Sequence, residues 1–358
     1  MQNAVVGSVA SSLALATSGN TVEALNQKLS SRIKVGQIGT KHAHAGGQMQ
    51  TLRKLSDLYE VVGVVEHDDA QYKQIAESPV CRGVPRLSEQ ELLETPGLKV
   101  VAVETEVRDL LSTSQKCIDA GLHIHLDKPA GESFPQLEIL HQTAKDKSLT
   151  IQMGYMFRYN PAFQFLFQAV QNGWLGEVFE VHGVMSKKVG EATRRQLAGY
   201  PGGAMFELGC HLIDPLLHIL GIPENVTSYN RQTIKNDPLF DNMLAVFEYP
   251  RATATIRSSV VEVNGGRRRQ FIVCGTQGTI EILPLEPGKL ILTLEEPQGK
   301  YRKGTQEIAL PASPGRYHGC WTEFASIIRG KSKLPFSHKH DLAVQKSVLT
   351  ASGIRTWK

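Results

Sequence analysis

From Ile33 to Met153 the chain alternates short apolar runs with amphipathic stretches of helical period, a rhythm few folds can accommodate. The runs Ile33 to Ile38, Glu60 to Val65, Val100 to Val103, His123 to Leu126 and Thr150 to Met153 read as strands. Helix-length segments lie between them, which predicts a parallel sheet wound with crossover helices. The helix punctuation agrees. Ser88 with Glu91, and Ser133 with Gln136, have capping-box spacing, Gly121 stops a helix over Val107 to Ala120, and Asn160-Pro161 opens a helix that Gly173 closes.

After Gly176 the period drops to two. Val178 to Met185, Met243 to Tyr249, Ala252 to Val263 and Phe271 to Leu283 alternate as strands of a largely antiparallel sheet with one face covered. Asn264-Gly265-Gly266 is a hairpin-turn signal between two strand-like segments, and Arg267, Arg268 and Arg269 beyond it read as a solvated loop edge. Two late helices, Gly319 to Arg329 and His338 to Gly353, are expected to return to the first half. A chain of 358 residues, 41% hydrophobic, suits two domains. The expected division is a leader or disordered tail over 1–32, a wound parallel-sheet domain over 33–153, an α+β domain over 154–334 and a carboxyl-terminal helix over 335–358.

Composition excludes several classes. The net charge of +4 arises from 39 basic and 35 acidic residues spread along the chain, so there is no electrostatic case for nucleic acid. The five cysteines are far apart and lack CxxC spacing, which argues against a disulfide framework or a cysteine zinc site. No run is long enough to span a membrane. The uncharged run Ala4 to Ala16 ends in Ala14-Leu15-Ala16, which matches a signal-peptidase pattern without a basic start. Two readings stand: a Ser/Ala-rich tail of a cytoplasmic protein, or an export signal, placing the protein in the periplasm, whose start lies upstream of Met1.

Ile33-Lys-Val-Gly36-Gln-Ile-Gly39-Thr40-Lys41-His42-Ala43-His44 leaves a strand, passes a glycine and enters a helix pattern. A phosphate there meets backbone N–H groups and the positive end of a helix. Gly39 is the first glycine of a G-x-G-x-x-G fingerprint whose second and third positions hold Lys41 and His44, so the motif is degenerate. Glu66 ends the second strand, 27 residues after Gly39, where a carboxylate accepts from ribose hydroxyls and repels a 2′-phosphate. NAD is therefore expected over NADP, with Asp68 a competing candidate for that role. His42-x-His44 and His123-x-His125 raise a metal site, but no downstream cysteine or carboxylate spacing completes one, and none is expected.

Three further segments carry a family resemblance. Ala120-Gly-Leu-His123-Ile-His-Leu-Asp127-Lys128-Pro129 is similar to A-G-K-H-V-x-x-E-K-P, Gly154-Tyr155 to Arg158-Tyr159-Asn160-Pro161 forms a second piece, and Gly202-Gly203-Ala-Met-Phe-Glu207-Leu-Gly209-Cys-His211-Leu-Ile-Asp214 resembles G-G-x-x-x-D-x-G-x-H-x-x-D. The chain from Ile33 onward resembles the Gfo/Idh/MocA family, named for glucose-fructose oxidoreductase and inositol dehydrogenase. The resemblance implies an α/β fold: an amino-terminal Rossmann dinucleotide-binding domain, then an α+β domain with a large open, mostly antiparallel sheet. It also implies an NAD or NADP cofactor in the cleft between them and a homodimer or homotetramer. Gly39, Thr40, Lys41, His42, His44, Glu66, Thr105, Asp127 and Lys128 are the expected cofactor contacts. Departures are Asp127 for Glu, Glu207 for Asp, and Thr105-Glu106-Val107-Arg108-Asp109 where the family has T-P-x-x-x-H bordering nicotinamide.

Glu207, His211, Asp214 and His218 fall at i, i+4, i+7 and i+11, one polar stripe on a helix; two histidines between two acids are unlike an ordinary solvated face. Alcohol oxidation needs a base for the hydroxyl proton, and His211 is the candidate. Glu207 is expected to orient that ring and raise its pKa. Lys128, at the carboxyl end of what would be the fifth strand, is expected to polarise the substrate oxygen. Tyr155, Arg158, Tyr159 and Asp214 are expected to line the substrate cleft. The leading expectation is an NAD-dependent dehydrogenase of a sugar, inositol or sugar acid. The alternatives are NAD-dependent glycoside cleavage through transient oxidation and elimination, and a dinucleotide-binding protein without turnover. Lys187, Lys188, Arg194 and Arg195 suit an acidic or phosphorylated substrate, or are ordinary loop charge.

Overall fold

The computed structural model describes residues 32–354, so the Ala4–Ala16 run lies outside the described residues. The first sheet contains β1 (Ile33–Ile38), β2 (Tyr59–Val65), β3 (Leu98–Val103), β4 (His123–Leu126) and β5 (Ile151–Met153). All neighbours are parallel, in the order β2-β1-β3-β4-β5. The crossovers are α1 (Ala45–Lys54), α2 (Asp69–Ala76), α3 (Glu89–Leu93), α4 (Leu110–Asp119) and α5 (Phe134–Asp146). Successive residues Val100, Val101, Ala102 and Val103 are all inaccessible, as a strand covered on both faces requires. The chain order reverses beside β1, so the crevice where such sheets collect ligands opens at the carboxyl ends of β1 and β3. Lys128 follows β4, making its strand the fourth in chain order, not the fifth.

Local signals explain the helix starts. Ser88 and Glu91 close a reciprocal capping box at α3, a motif typically contributing about 1 kcal/mol. The segment expected as one helix over Val107 to Ala120 opens as a 3-10 turn, Val107–Asp109, before α4 begins. The Asn160 side chain caps α6 (Pro161–Gln171).

The second sheet has eight strands: β6 (Val178–Ser186), β7 (Asn225–Arg231), β8 (Asn242–Glu248), β9 (Thr253–Ser259), β10 (Gln270–Gly275), β11 (Gly278–Ile282), β12 (Leu290–Leu294) and β13 (Gly304–Ile308). Their order is β13-β12-β11-β10-β6-β9-β8-β7, and every pairing is antiparallel except β6 with β9. Two expectations are corrected here. Phe271 to Leu283 is not one strand but the hairpin of β10 and β11, broken at Gly275, where a Cβ would stand 2.1 Å from the Leu175 carbonyl oxygen. The segments flanking Asn264 do not pair with each other, because β6 runs between β9 and β10, and Gly265–Arg268 is a 3-10 turn.

Between β6 and β7 lie α7 (Glu191–Ala198), a π turn over Met205–Gly209, and α8 (Cys210–Leu220). α8 is buried from Cys210 through Leu217 and packs on β6 and β9. α9 (His318–Ile328) meets α1, where Tyr59 Oη donates to the Trp321 carbonyl and Trp321 Nε1 donates to Gln48. α10 (His338–Ala351) touches α8, β7 and α5, so the last helix fastens both halves together. Among the described residues no helix is long and apolar enough to cross a membrane.

Candidate active site

The loop after β1 folds across the sheet's ligand crevice. Gly39 has φ +88°, and a Cβ there would lie 2.6 Å from the Thr105 backbone nitrogen, so only glycine fits. Glu66 is buried and oriented: Thr40 Oγ1 donates to it at 2.5 Å and the Asp68 backbone N–H at 3.0 Å. Asp68, the competing candidate, instead caps α2 and binds the Lys41 ammonium at 3.0 Å. Backbone donation from Gln71, then the bond from Lys41, hold its carboxyl below the ordinary value. Gly39, Lys41, Glu66, Asp68 and Thr105 line a cleft of about 320 Å³.

The two side chains that replace fingerprint glycines are thus both held by carboxylates, Lys41 by Asp68 and His44 by Asp127. His44 Nδ1 lies 3.0 Å from Asp127 Oδ1, and His42 Nδ1 lies 3.1 Å from Asp127 Oδ2. The expectation that no carboxylate completes the His42/His44 pair is therefore corrected: Asp127 arrives from the end of β4, far along the chain. The second pair stays apart, since His123 accepts from the Thr150 backbone and His125 lies against Trp321. Glu104, just beyond β3, was missed by sequence reasoning. It is inaccessible, its Oε2 is 3.8 Å from His42 Nδ1, and neither carboxylate oxygen has a hydrogen-bond partner.

Lys128 is fully buried, and its ammonium donates to the Glu207 carbonyl at 2.9 Å and to Glu207 Oε1 at 3.1 Å. Burial alone would push the ammonium's pKa down, but the Glu207 carboxylate reverses this and holds it above the ordinary value. The same pairing overcomes burial at Glu207 and keeps that carboxyl low. His211 follows one turn later, 5.9 Å from the His44 ring between centroids, and its Nδ1 has no partner. Burial, then the charge on Lys128, holds its pKa well below the ordinary value. The expected role of Glu207 is corrected: it positions Lys128 and does not raise the pKa of His211.

The polar stripe divides. Glu207 sits in the π turn, where the helix ladder changes step, and faces Lys128. Asp214 instead accepts from Arg158 at 2.7 Å and lies 3.0 Å from His340 Nε2, while Arg158 also donates to Asp341 at 2.5 Å. Arg158 and Asp214 are each about 1% exposed, with their charges spent on this network; the expectation that they line the substrate cleft is corrected. Tyr155 is buried against Arg158 with an unpartnered hydroxyl, and Tyr159 meets Gln152 at 3.5 Å. Neither tyrosine has a hydrogen bond to Lys128 or His211. Lys187, half-buried, lies within electrostatic reach of Glu207 and Lys128; burial lowers its pKa, partly offset by Glu207.

Two family models match this architecture: "Oxidoreductase family, NAD-binding Rossmann fold" over residues 33–155 and "GFO/IDH/MocA C-terminal domain" over residues 163–281. The chain belongs to the Gfo/Idh/MocA family. It carries an NAD-binding Rossmann domain and is an oxidoreductase. Among relatives, the scyllo-inositol 2-dehydrogenase (NADP(+)) of Bacillus subtilis is 24% identical over 281 residues, 73% of this chain and 78% of its own. The trans-1,2-dihydrobenzene-1,2-diol dehydrogenase of Bos taurus is 21% identical, over 72% of this chain and 74% of its own. The fold is shared with the aldose-aldose oxidoreductase of Caulobacter crescentus, solved with glycerol, at a TM-score of 0.76 and 16% identity, covering 90% of this chain and 98% of that one. It is also shared with an oxidoreductase of Agrobacterium radiobacter, solved with NAD+, L-tartaric acid and magnesium, at 0.75 and 15%, covering 90% and 96%.

Proposed function

We propose that this Gfo/Idh/MocA protein oxidises or reduces a CH–OH group of a sugar, inositol or sugar acid, with NAD as hydride partner. The residues fit the cofactor: Gly39 lets the backbone close on the crevice, and Glu66, aimed by Thr40, stands where ribose hydroxyls need an acceptor. Glu66 also disfavours a 2′-phosphate, which supports NAD over the NADP named for the Bacillus relative. When bound, NAD supplies a hydride acceptor.

The observation that carries the reading is the buried Lys128 ammonium, fixed by two bonds to Glu207, which stands one helical turn before a histidine whose Nδ1 is buried without a hydrogen-bond partner. A desolvated cation of this kind stabilises negative charge on the substrate oxygen as the hydride leaves carbon. His211 takes the hydroxyl proton in oxidation and returns it in reduction, so proton and hydride leave the alcohol together and a carbonyl remains. Lys187, within electrostatic reach of Glu207 and Lys128, adds a positive charge that suits a substrate carrying a carboxylate.

The test is to identify the dinucleotide released from purified protein by mass and then assay a panel of sugars, inositols and aldonic acids for NADH formation. Stoichiometric oxidation with net NADH supports the reading. Release of a glycosidic leaving group without net NADH, or absence of turnover across the panel with NAD bound, contradicts it.

A further inference from the structure

Beneath the loop that follows β1, three metal-ligating groups converge and a fourth stands beside one of them, from three segments of the chain. His42 and His44 come from the loop, Glu104 from the end of β3, and Asp127 from the end of β4. One ligand atom from each of His42, His44 and Asp127 lies within 4.8 Å of the others. The individual spacings are 3.1 Å for His42 Nδ1 to Asp127 Oδ2, 3.0 Å for His44 Nδ1 to Asp127 Oδ1, and 3.8 Å for His42 Nδ1 to Glu104 Oε2. A tetrahedral ion with bonds of about 2.0–2.1 Å separates its ligands by roughly 3.3 Å, in the middle of that range.

The cluster's unmet demands point the same way. His42 Nε2 lies 3.0 Å from the Lys128 carbonyl, to which it donates, leaving Nδ1 with its lone pair; the His44 backbone N–H, 3.3 Å away, addresses that lone pair too. Yet a carboxylate oxygen of Asp127 stands beside the same atom. A ring nitrogen donating to a backbone carbonyl is also the usual support for a histidine that ligates through its other nitrogen. Glu104 is wholly buried with no donor for either oxygen, and the one buried ammonium nearby, Lys128, is turned to Glu207. Burial and the neighbouring Asp127 carboxylate push the Glu104 carboxyl well above its ordinary value, and a proton there would bond it to Asp127, yet that proton supplies no donor at His42 Nδ1 while this nitrogen keeps its lone pair. A divalent cation resolves these demands together.

We propose that His42, His44 and Asp127, with Glu104 beside His42, form a binding site for one divalent transition-metal ion, with Zn2+ the best match to two imidazoles and a carboxylate. Mg2+ and Ca2+ prefer shells built of oxygen and are poor candidates. His44, the most exposed of the four, lies on the side facing His211, so the ion borders the reacting groups proposed above while its binding does not depend on them.

The experiment uses the full, tag-free chain without dinucleotide or substrate. Metal content is measured after dialysis, followed by titration of the chelator-stripped protein with Zn2+ and, separately, with Co2+ read by its visible ligand-field absorption. The expected result is one tight equivalent per chain, a lower melting temperature after chelation, and affinity at least about 10-fold weaker in His44→Gln and Glu104→Gln. His44→Gln alters the least buried ligand and is the variant most apt to fold, which circular dichroism checks. No stoichiometric uptake by the wild type, uptake unchanged in both variants, or equal competition by Mg2+ would overturn the site. None of these readouts depends on NAD or turnover, so failure here is separable from failure of the oxidoreductase reading.

Discussion

Glu66 and Lys187 are the side chains whose replacement most directly tests what the cleft accepts. Removing the Glu66 carboxylate withdraws an acceptor for ribose hydroxyls and a repulsion against a 2′-phosphate. Glu66→Ala is expected to weaken NAD about 10-fold and narrow or invert its preference over NADP, as measured by calorimetry with each dinucleotide. An unchanged preference places discrimination elsewhere. Lys187→Ala is expected to raise KM for an acidic substrate about 10-fold with kcat little changed, because a charge contacted equally before and during reaction contributes uniform binding. The placement of Glu66 and Gly39 at the crevice was legible in the sequence because it follows from local position, at a strand end and a strand-to-helix turn. Glu104 was not legible, since its meaning depends on histidines from another segment. Its only signal is an acid directly after the apolar run Val100 to Val103.

At the scale of the element, α5 carries a pH dependence of its own. His141 is buried there against the His338 ring at 4.7 Å, and neither of its ring nitrogens has a partner. Burial, then the charges of His338 and Arg158, push its pKa down to about 3. Below pH 6.5 the unfolded chain takes up a proton that the folded chain refuses, so stability is full above that value and falls as the pH drops toward 3. Chemical denaturation at pH 7 and pH 5 is expected to show a loss of up to about 1.4 kcal/mol per pH unit from this group. His141→Leu should flatten that slope; an unaltered slope contradicts the assignment. Elements also mark where periodicity failed. The parallel strands were readable as continuous apolar runs, but the β10–β11 hairpin and the insertion of β6 between β9 and β10 rest on long-range pairing that alternation does not encode. The stripe from Glu207 to His218 was correct as a spacing, yet the π turn and the competing claim of Arg158 on Asp214 sent its members to different partners.

Across the whole molecule, the Arg158 network joins the start of the second half to the last helix through Asp214 and Asp341. Asp341→Ala leaves Arg158 paired with Asp214 but removes a buried charge-assisted hydrogen bond, so it is expected to destabilise the fold by about 1.5–3 kcal/mol, seen as a drop in melting temperature with the dinucleotide Kd nearly unchanged. A shift under 1 kcal/mol would show the network to be solvated. The same architecture brings Lys128, from the parallel sheet, to Glu207 and His211, from the π turn and helix laid over the antiparallel sheet. On the proposed function, this junction performs hydride-coupled proton transfer. It is tested most directly by steady-state NADH formation on a substrate found in the panel, comparing wild type with Lys128→Ala and His211→Ala and measuring NAD binding in parallel. Losses in kcat of about 10²–10³-fold are expected in each variant with NAD affinity retained; wild-type turnover in both would rule out this role for the Lys128–His211 junction.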